Sequence, residues 1–431
     1  MARELPSASL LENAQFNQLV IVPNAVQGLF RRRPTPVAVA TRLDVDGRAV
    51  RLIAGIRRRH GPGPVWIRVM TNRALLVLAP EDVRRVLEGS PYPFAADPEA
   101  KRKGMGHFQP YALTLSRGEL WQDRRRFTEA VLDSAQSSHR LADRFAAVVR
   151  EELAELLGED EVRYEPFHAA FRRIVRRIVL GDSARDDEGL SDLLAELMSE
   201  ANGLPSERSE YFDEFMDGVE RYVKAAEPGS LVGLFGEAPS TPDTRVEGQV
   251  AHWLFALQDT LAANALRALA LLGSHAEQRA RAETDREYLT ACLQEAMRLW
   301  PTTPLLSRET LVDLTWRGAV VPAGTQVMIV NTFHHRDPER LPYADRFAPE
   351  EWIDGSAKDD WTLNHFSHGP QGCPGRNLAL FVGTDVLAAL LEHGEPRLVD
   401  PALDPGRPLP HMLDVFRVRV GLAERAAVAA V

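Results

Sequence analysis

The chain has 431 residues, of which 45% are hydrophobic and 26% are charged, and its formal net charge at pH 7 is −10. This balance is typical of a globular protein with a large core, and it excludes a generally basic nucleic-acid-binding protein. The two cysteines, Cys292 and Cys373, are too few for a disulfide framework, and they favour a reducing compartment.

No run of about 18 apolar residues occurs in the sequence, so we expect no membrane span and no membrane anchor. The first residues lack the apolar core of a signal peptide, which favours a cytoplasmic location. Arginine triplets at 31–33 and 57–59 are compatible with nucleic-acid binding, but a solvated surface explains them more simply. We therefore expect no nucleic acid among the partners.

The first readable elements follow residue 60, and residues 1–60 are an N-terminal extension of uncertain structure. Residues 65–69 and 74–78 are strand-like and are predicted to form a hairpin. A helix is predicted to begin at Pro80, with acids in its first turn. Helical spacing then predicts five helices, over 118–134, 139–157, 165–180, 188–202 and 208–225.

A long helix predicted over 245–274 is apolar on more than one face, which is typical of a central, buried helix. Beyond it we predict a helix over 287–299, followed by strands over 311–316 and 326–330. A loop over 333–372 then leads to a last helix over 375–393 and a strand pair over 395–421. A loop of this length is uncommon unless it is functional. The chain is thus predicted to be mainly α with a small β region, and residues 1–431 are expected to form a single domain.

The most informative segment is the string Phe366-Ser-His-Gly-Pro-Gln-Gly-Cys-Pro-Gly-Arg. Cys373 stands just before the last predicted helix, where unpaired N–H groups and the helix dipole stabilise a thiolate. Pro374 suits a first helical turn, and Gly369 and Gly375 let the backbone turn sharply and approach a flat ligand. A Gly/Pro loop around a buried cysteine is the plainer interpretation, and the string alone leaves both open.

The pattern Phe366-x-x-Gly369-x-x-x-Cys373-x-Gly375 resembles the haem-binding loop of the cytochrome P-450 family. The resemblance implies the P-450 fold, haem b as cofactor and Cys373 as the thiolate ligand of the haem iron. The family usually has Arg or His two residues before the cysteine, where this chain has Gln371.

Glu295 and Arg298 are three residues apart on a predicted helix, so their side chains share one face. They are similar to the Glu-x-x-Arg motif of the family, which implies a buried pair that braces the haem loop. The third member of that cluster is an Arg in the family, but Glu351 stands at the matching position. Arg346 is an alternative third member.

Trp121 and Arg125 are one turn apart on the 118–134 helix, as in the family's propionate-binding motif. Arg308 matches a further propionate-binding Arg of the family. The spacing alone is also compatible with a core Trp beside an exposed Arg. The resemblance implies that Arg124, Arg125 and Arg126 form a positive patch for an acidic ferredoxin or flavin reductase, although a solvated helix face explains the three arginines more simply.

The segment from Ala256 to Thr260 resembles the family's Ala/Gly-Gly-x-Asp/Glu-Thr motif. The resemblance implies that Asp259 and Thr260 are catalytic and deliver protons during oxygen activation. Leu257 occupies the Gly position, where it is expected to crowd the groove for oxygen and substrate. The motif can also be aligned with the central helix in a second register, which uses Asn264 and Ala265. In that register the helix has no pair of acid and alcohol side chains for proton delivery.

The resemblance implies monooxygenation of a small organic molecule in bacterial secondary metabolism, with O2 and electrons from a redox partner. Oxygen-independent haem-thiolate chemistry is an alternative: peroxide-driven oxidation, nitrene transfer or rearrangement of a pre-oxidised substrate. A non-catalytic haem sensor is another. Phe108, Phe255 and Met412 indicate an apolar or aromatic substrate. Substrate contacts are expected around 95–115, 195–210, 253–260, 301–307 and 410–416.

Overall fold

The structure, a computed structural model, describes residues 4–205 and 207–424. The helices are α1 Leu10–Phe16, α2 Val22–Gln27, α3 Pro34–Arg42, α4 Val45–His60, α5 Pro80–Glu88, α6 Glu99–Met105, α7 Gly118–Val131, α8 Ala142–Leu153, α9 Tyr164–Leu180, α10 Glu188–Ala201, α11 Tyr211–Ala225, α12 Glu247–Phe255, α13 Ala262–Ser274, α14 Ala276–Ala282, α15 Arg286–Leu299, α16 Asn331–His334 and α17 Arg376–His393. The strands are β1 Val65–Val69, β2 Asn72–Leu76, β3 Phe94–Ala95, β4 Glu161–Arg163, β5 Leu305–Thr310, β6 Leu314–Trp316, β7 Ala319–Val321, β8 Gln326–Val330, β9 Gly394–Asp400 and β10 Arg419–Glu424. The mainly α class with a small β region is confirmed.

The predicted hairpin is present as β1 and β2, which pair antiparallel from Val65 opposite Leu76 to Val69 opposite Asn72. Strand β2 continues in parallel to β8, and the five-stranded sheet has the order β1-β2-β8-β5-β3. Strands β9 and β10 form the predicted C-terminal pair, with β4 on the other side of β10.

The predicted strand over 311–316 is only partly correct. Residues 314–316 form β6, but the partner of β8 is β5, over 305–310. Strand β5 gave no apolar alternation because its two buried side chains, Arg308 and Thr310, are polar. The pattern of buried apolar residues therefore could not reveal it.

The central helix runs through α12, a π-helical segment over Ala256–Leu261, and α13. Helix α13 packs against α15, α17 and β9, and most of its side chains are buried. The long segment 333–372 is not structureless, since Leu341, Tyr343 and Trp352 belong to a small core of its own. Within the described ranges, no helix is both long and apolar enough to cross a membrane.

Residues before 60 form helices that the sequence did not reveal. Helices α1 and α2 are joined by a π-helical segment over Asn17–Ile21, and α3 and α4 follow. One face of this region packs under the sheet, where Phe16, Val20 and Ile53 are buried with β1 and β2 residues.

Candidate functional site

Cys373 lies in a tight loop that ends at the start of α17. Its N–H donates to the carbonyl of Phe366 (2.7 Å), and the N–H of Gly372 donates to the carbonyl of Gly369 (2.9 Å). Gly369 has a φ of 69°, and a Cβ there would lie 2.5 Å from the carbonyl oxygen of Leu87. Only glycine lets the backbone of the loop come this close to the end of α5. Gly369 is therefore required for packing against α5 and not for the approach of a flat ligand.

The side chain of Cys373 is accessible, although protein surrounds it. Burial raises the pKa of this thiol, while the N–H of Gly375 and the guanidinium groups of Arg125 and Arg376 lower it. An accessible sulfur inside the protein and near cations is suited to a thiolate metal ligand. Cys292, by contrast, is fully buried in α15, where it packs as a small core side chain.

Helix α7 supports the cysteine loop. Arg125 donates through Nη1 to the carbonyl of Gly372 (2.6 Å) and pairs through Nε with Glu129 (2.6 Å). Ser134, just beyond α7, donates to the carbonyl of Pro374 (2.6 Å). Trp121 is half-buried one turn before Arg125, and its indole N–H has no hydrogen-bond partner in the described part of the chain. Propionate binding by Trp121 and Arg125 stays a prediction.

The predicted positive patch of three arginines is wrong. Arg124 is buried, and it donates to the hydroxyl of Ser116 (2.8 Å) and to the carbonyl of Thr244 (3.2 Å). Arg125 is engaged with the cysteine loop, so only Arg126 is exposed. Consecutive residues on a helix face different directions, which the letters Arg-Arg-Arg alone did not convey.

Arg308 on β5 is a buried cation without a carboxylate partner among the described residues. It donates to the hydroxyls of Ser90 (3.0 Å) and Ser367 (3.4 Å) and to the carbonyl of Ser307 (3.0 Å). Burial lowers its pKa to about 10. A buried charge of this kind is unfavourable unless an anion neutralises it.

Lys101 on α6 is a second cation without a carboxylate of its own; it is half-buried on the cavity wall, and no motif in the sequence indicated it. Its Nζ donates to the carbonyls of Ala96 (3.0 Å) and Thr114 (3.2 Å). Burial, reinforced by repulsion from Arg308, lowers its pKa to about 7. The carboxylate of Asp97 acts in the opposite direction but is already paired with Arg117 (2.7 Å).

This lowered pKa makes the stability of the apoprotein depend on pH. Folding disfavours the protonated form of Lys101, so its penalty is present below about pH 7 and disappears between about pH 7 and the unfolded value of 10.5. Lys101→Met is therefore expected to stabilise the apoprotein more at pH 7 than at pH 10. Urea unfolding at the two pH values measures the difference. Lys103→Met, whose residue is exposed on the same helix and paired with Glu99, is the matched control. Equal effects of Lys101→Met at both pH values would contradict the prediction.

Glu295 and Arg298 form a fully buried, bidentate ion pair, with N–O distances of 2.7 and 2.6 Å. Arg298 also donates to the carbonyls of His335, Tyr343, Ala344 and Arg346, all in or beside the segment before the cysteine loop. Glu295 accepts from the indole N–H of Trp352 (2.9 Å) and from the N–H of Ala348 (3.0 Å).

The third member of this cluster is thus Trp352, not Arg346. Arg346 contributes only its carbonyl, and Glu351 accepts from Ser356 instead. A neutral indole donor satisfies the carboxylate without adding a second charge to the core. Trp352 was not predicted, because the family has a charged Arg in this cluster and an indole N–H is a neutral donor.

Asp259 and Thr260 lie in the π-helical segment of the central helix, and both line a cavity of about 820 Å³. Asp259 contacts the imidazole of His168 on α9 (Oδ1 to Nε2, 3.2 Å), and His168 stacks on Tyr164. The hydroxyl of Thr260 has no hydrogen-bond partner in the described ranges. His168 is a contributor that the sequence did not reveal, because it is 91 residues from its partner.

Leu257 does not crowd the groove. It is buried in the main core and is absent from the cavity wall, where Ala256 and Ala263 stand beside Thr260. The second alignment of the motif, through Asn264, is not supported either, because Asn264 is buried and does not line the cavity.

All five predicted contact regions contribute to the cavity wall, together with residues 21–37 and 164–172, which were not predicted. Phe255 and Met412 line it, but Phe108 is fully buried behind Phe255, with a ring distance of 5.6 Å. Cys373 is not among the lining residues. Arg308 links the cavity to the cysteine loop, because it lines the cavity and its guanidinium contacts Ser367 of that loop.

The chain is similar in sequence and in fold to known proteins. A family model described as cytochrome P-450 matches residues 268–399, which include Glu295, Arg298 and the cysteine loop. The chain is 28% identical over 373 residues to cyclooctat-9-en-7-ol 5-monooxygenase of Streptomyces melanosporofaciens, covering 73% of this chain and 78% of the relative. Residues 268–399 therefore match the cytochrome P-450 family, and the resemblance recognised in the cysteine loop is confirmed.

Other matches to P-450 proteins are partial or structural. Cytochrome P-450 4c3 of Drosophila melanogaster is 29% identical over 187 residues, which are 38% of this chain and only 35% of that protein. The solved structure of retinoic acid bound cyanobacterial CYP120A1 has a TM-score of 0.68 at 20% identity, and the match covers 86% of this chain and 93% of that one. The structural similarity shows that this chain has the P-450 fold.

The P-450 family implies a haem iron cofactor, and the residues present fit it. Haem carries two carboxylates, and the buried Arg308 and the half-buried Lys101 are cations on the cavity wall that form no ion pair within the described ranges. The accessible sulfur of Cys373 is the soft donor that haem-thiolate chemistry requires.

Proposed function

We propose that this P-450 is a haem b monooxygenase that oxidises a small, largely apolar organic molecule. The observation that carries the proposal is that Arg308 connects the cysteine loop to a cavity that Asp259 and Thr260 also line. We further propose that residues 1–431 act as one catalytic domain in the cytoplasm.

In this proposal Cys373 is the iron ligand, and Phe366, Gly369 and Gly375 shape its loop. Trp121, Arg125 and Arg308 bind the propionates, with Lys101 as an additional partner. Glu295 and Arg298 fix the segment before the loop. When bound, haem activates O2 so that one oxygen atom enters the substrate and the other becomes water, with two electrons and two protons consumed.

The two protons require a relay from the protein. Thr260 lines the cavity with a free hydroxyl, so it can hold a water molecule and pass on a proton. Asp259 is oriented by His168, so its carboxylate can take up protons and resupply Thr260. The electrons are expected from a ferredoxin or flavin reductase.

The substrate class follows from the cavity wall. Its volume of about 820 Å³ is shared between the substrate and haem, since Arg308 and Lys101, the proposed propionate partners, stand on the same wall. Phe255, Leu305, Leu306, Met412 and Val415 give it a largely apolar interior. One relative is named as the 5-monooxygenase of cyclooctat-9-en-7-ol, which supports a small organic secondary metabolite as the substrate here.

Oxygen-independent chemistry loses its main support, because Leu257 is outside the cavity wall. Turnover tests the choice directly. We expect product only when O2 and a reductase are both present. Product formed without O2 would favour the oxygen-independent alternative, and substrate binding without any product would favour a haem sensor.

Thr260→Ala should reduce product formation by about 10²-fold or more while reduced cofactor is still consumed, because proton delivery is impaired. Thr260→Ser retains the hydroxyl and is expected to recover most of the rate. The measurement is the ratio of product formed to cofactor oxidised. An unchanged ratio in Thr260→Ala would remove Thr260 from the relay.

A further inference from the structure

The central helix carries a cation further along the face that holds Thr260. Arg267 follows Thr260 by about two helical turns, so its side chain leaves the same face of the helix about 10 Å further along the axis. Both residues line the cavity. The Nη1 of Arg267 donates to the carbonyl of Trp300 (2.9 Å). Its Nε and Nη2 have no hydrogen-bond partner, and it forms no ion pair, within the described ranges. This cation therefore keeps unused donors at the cavity wall.

Tyr164, at the start of α9, provides a second donor near Arg267. Its ring stacks on His168, with 5.3 Å between the ring centroids, and packs edge-on against Phe416 (4.6 Å). The hydroxyl has no hydrogen-bond partner in the part of the chain that the structure describes, although Tyr164 lines the cavity. Burial raises the pKa of this phenol, and the charge of Arg267 acts against the rise, so the two groups lie near each other. The hydroxyl stays protonated and can donate.

No carboxylate of the protein contacts Arg267. Burial lowers its pKa to about 10, and repulsion from Arg32 acts in the same direction. Asp414 and Asp46 act against this lowering, but neither forms an ion pair with Arg267 within the described ranges. Asp414 lies behind the cavity wall, where its Oδ1 accepts from the N–H of Phe416 (3.1 Å). A desolvated guanidinium without a contacting carboxylate favours an anionic ligand.

The charges on the wall favour a ligand with a single negative charge. Arg32 is the cation that most lowers the pKa of Asp46, which burial raises to about 6, so these two groups largely balance each other. Arg267 is then the uncompensated charge of the three. A phosphate ester is almost doubly charged at neutral pH and would leave an excess of negative charge. A neutral alcohol would leave Arg267 without an anion.

This part of the wall is separate from the cations proposed to bind haem. Residues 300–308 line the cavity without a break, from Trp300, whose carbonyl accepts from Arg267, to Arg308. Residues 305–308 belong to a strand and alone span about 10 Å. Lys101 lies near Arg308, because repulsion from Arg308 adds to burial in lowering the pKa of Lys101. A ligand that shares the cavity with haem can therefore contact Arg267 at the far end of this segment.

We propose that Arg267 and Tyr164 bind the carboxylate of an amphiphilic monocarboxylic acid, whose apolar part extends along the central helix to Thr260. This inference rests on the proposed monooxygenase function and names its substrate class. The carboxylate accepts from the Nη2 of Arg267 and from the hydroxyl of Tyr164, which are charge-assisted hydrogen bonds. Phe255 and Ala263 line the cavity with Thr260 and contact the apolar part. The oxidised carbon is therefore several bonds away from the carboxylate.

Equilibrium dialysis of the holoenzyme against decanoate and decan-1-ol tests the substrate class without turnover. The two probes have the same chain length and differ in the charged group. We expect the wild type to bind decanoate at least about 10-fold more tightly, the equivalent of one charge-assisted hydrogen bond. Arg267→Met should weaken decanoate binding by roughly 10- to 100-fold and change decan-1-ol binding by less than about twofold. Arg267→Lys keeps the charge and should retain part of the preference.

Tyr164→Phe tests the second donor independently of Arg267. It keeps the ring that stacks on His168 and removes the hydroxyl, so decanoate binding should weaken by roughly 10-fold while decan-1-ol binding stays unchanged. Arg33→Gln is the matched control, because Arg33 follows Arg32 in the chain but is exposed and does not line the cavity. It should leave the affinities for both probes unchanged.

Three results would overturn the proposal. The first is equal affinity of the wild type for decanoate and decan-1-ol. The second is an equal loss of both probes in Arg267→Met, which would make Arg267 only a support of the cavity wall. The third is tighter binding of decyl phosphate than of decanoate, which would exclude the carboxylate. Dialysis needs neither O2 nor a reductase, so a holoenzyme that binds decanoate as expected but oxidises no carboxylic acid would contradict the monooxygenase function alone.

Discussion

Cys373→Ser is expected to abolish the thiolate-type spectrum of the reduced, carbon monoxide-bound holoenzyme and to reduce oxygenation to background. Serine is nearly isosteric with cysteine, so the hydrogen bond from its N–H to Phe366 should survive and the loop should remain folded. A hydroxyl is a much harder donor than a thiolate and does not give the electron donation that favours O–O cleavage. The effect should therefore appear in the spectrum and turnover, with little change in the unfolding midpoint of the apoprotein.

Cys292→Ala is the matched control, because Cys292 is the other cysteine of the chain and is buried in α15. We expect it to retain the thiolate spectrum at a modest cost in stability, since a small buried side chain is truncated. A thiolate spectrum in Cys373→Ser, or its loss in Cys292→Ala alone, would show that the ligand has been assigned wrongly.

Arg298→Met should destabilise the protein by about 3–5 kcal/mol, because it leaves the carboxylate of Glu295 buried without its counter-ion. It also removes the donor to four carbonyls that precede the cysteine loop, at His335, Tyr343, Ala344 and Arg346. We therefore expect faster loss of haem from the variant in addition to a lower unfolding midpoint in urea. Haem transfer to an acceptor protein measures the first effect.

Two further variants serve as comparisons for Arg298→Met. Arg84→Gln breaks an exposed pair with Glu88 at the same kind of helical spacing and should change stability by less than about 1 kcal/mol. The double change Arg298→Met with Glu295→Gln removes both charges, so it should recover part of the loss. If Arg298→Met behaved like Arg84→Gln, the buried pair would not be a support of the loop.

Local patterns predicted the fold class and most helices, because α7 to α11, α15 and α17 each have an apolar face at helical spacing. They did not reveal α1 and α2, because three of the residues that these helices bury, Glu12, Asn24 and Gln27, are polar and interrupt the apolar stripe. Strand β5 was missed because it buries Arg308. Burial of a cation depends on what the folded chain places around it, and no local pattern contains that information.

The site residues also divide into those that local motifs predicted and those that they did not. Motif spacing identified Glu295 with Arg298, and the structure places them in a buried pair. His168 and Trp352 were not recognised, because each acquires its partner from a distant part of the chain. Lys101 was not recognised because its carbonyl partners, Ala96 and Thr114, carry no sequence signal for a cation. The roles proposed for Trp121, Arg125 and Arg308 stay predictions until a haem-loaded protein is tested.

The π-helical segment Ala256–Leu261 has a consequence for aligning this chain with its relatives. Such a segment is equivalent to one residue inserted into a regular α-helix, and each added residue rotates the remainder of the helix by about 100°. Column-by-column comparison with a regular helix therefore assigns Leu257 to the glycine position, although Ala256 and Ala263 occupy the cavity wall. Sequences that lack this insertion should be compared with the two halves of the helix separately, in two different frames.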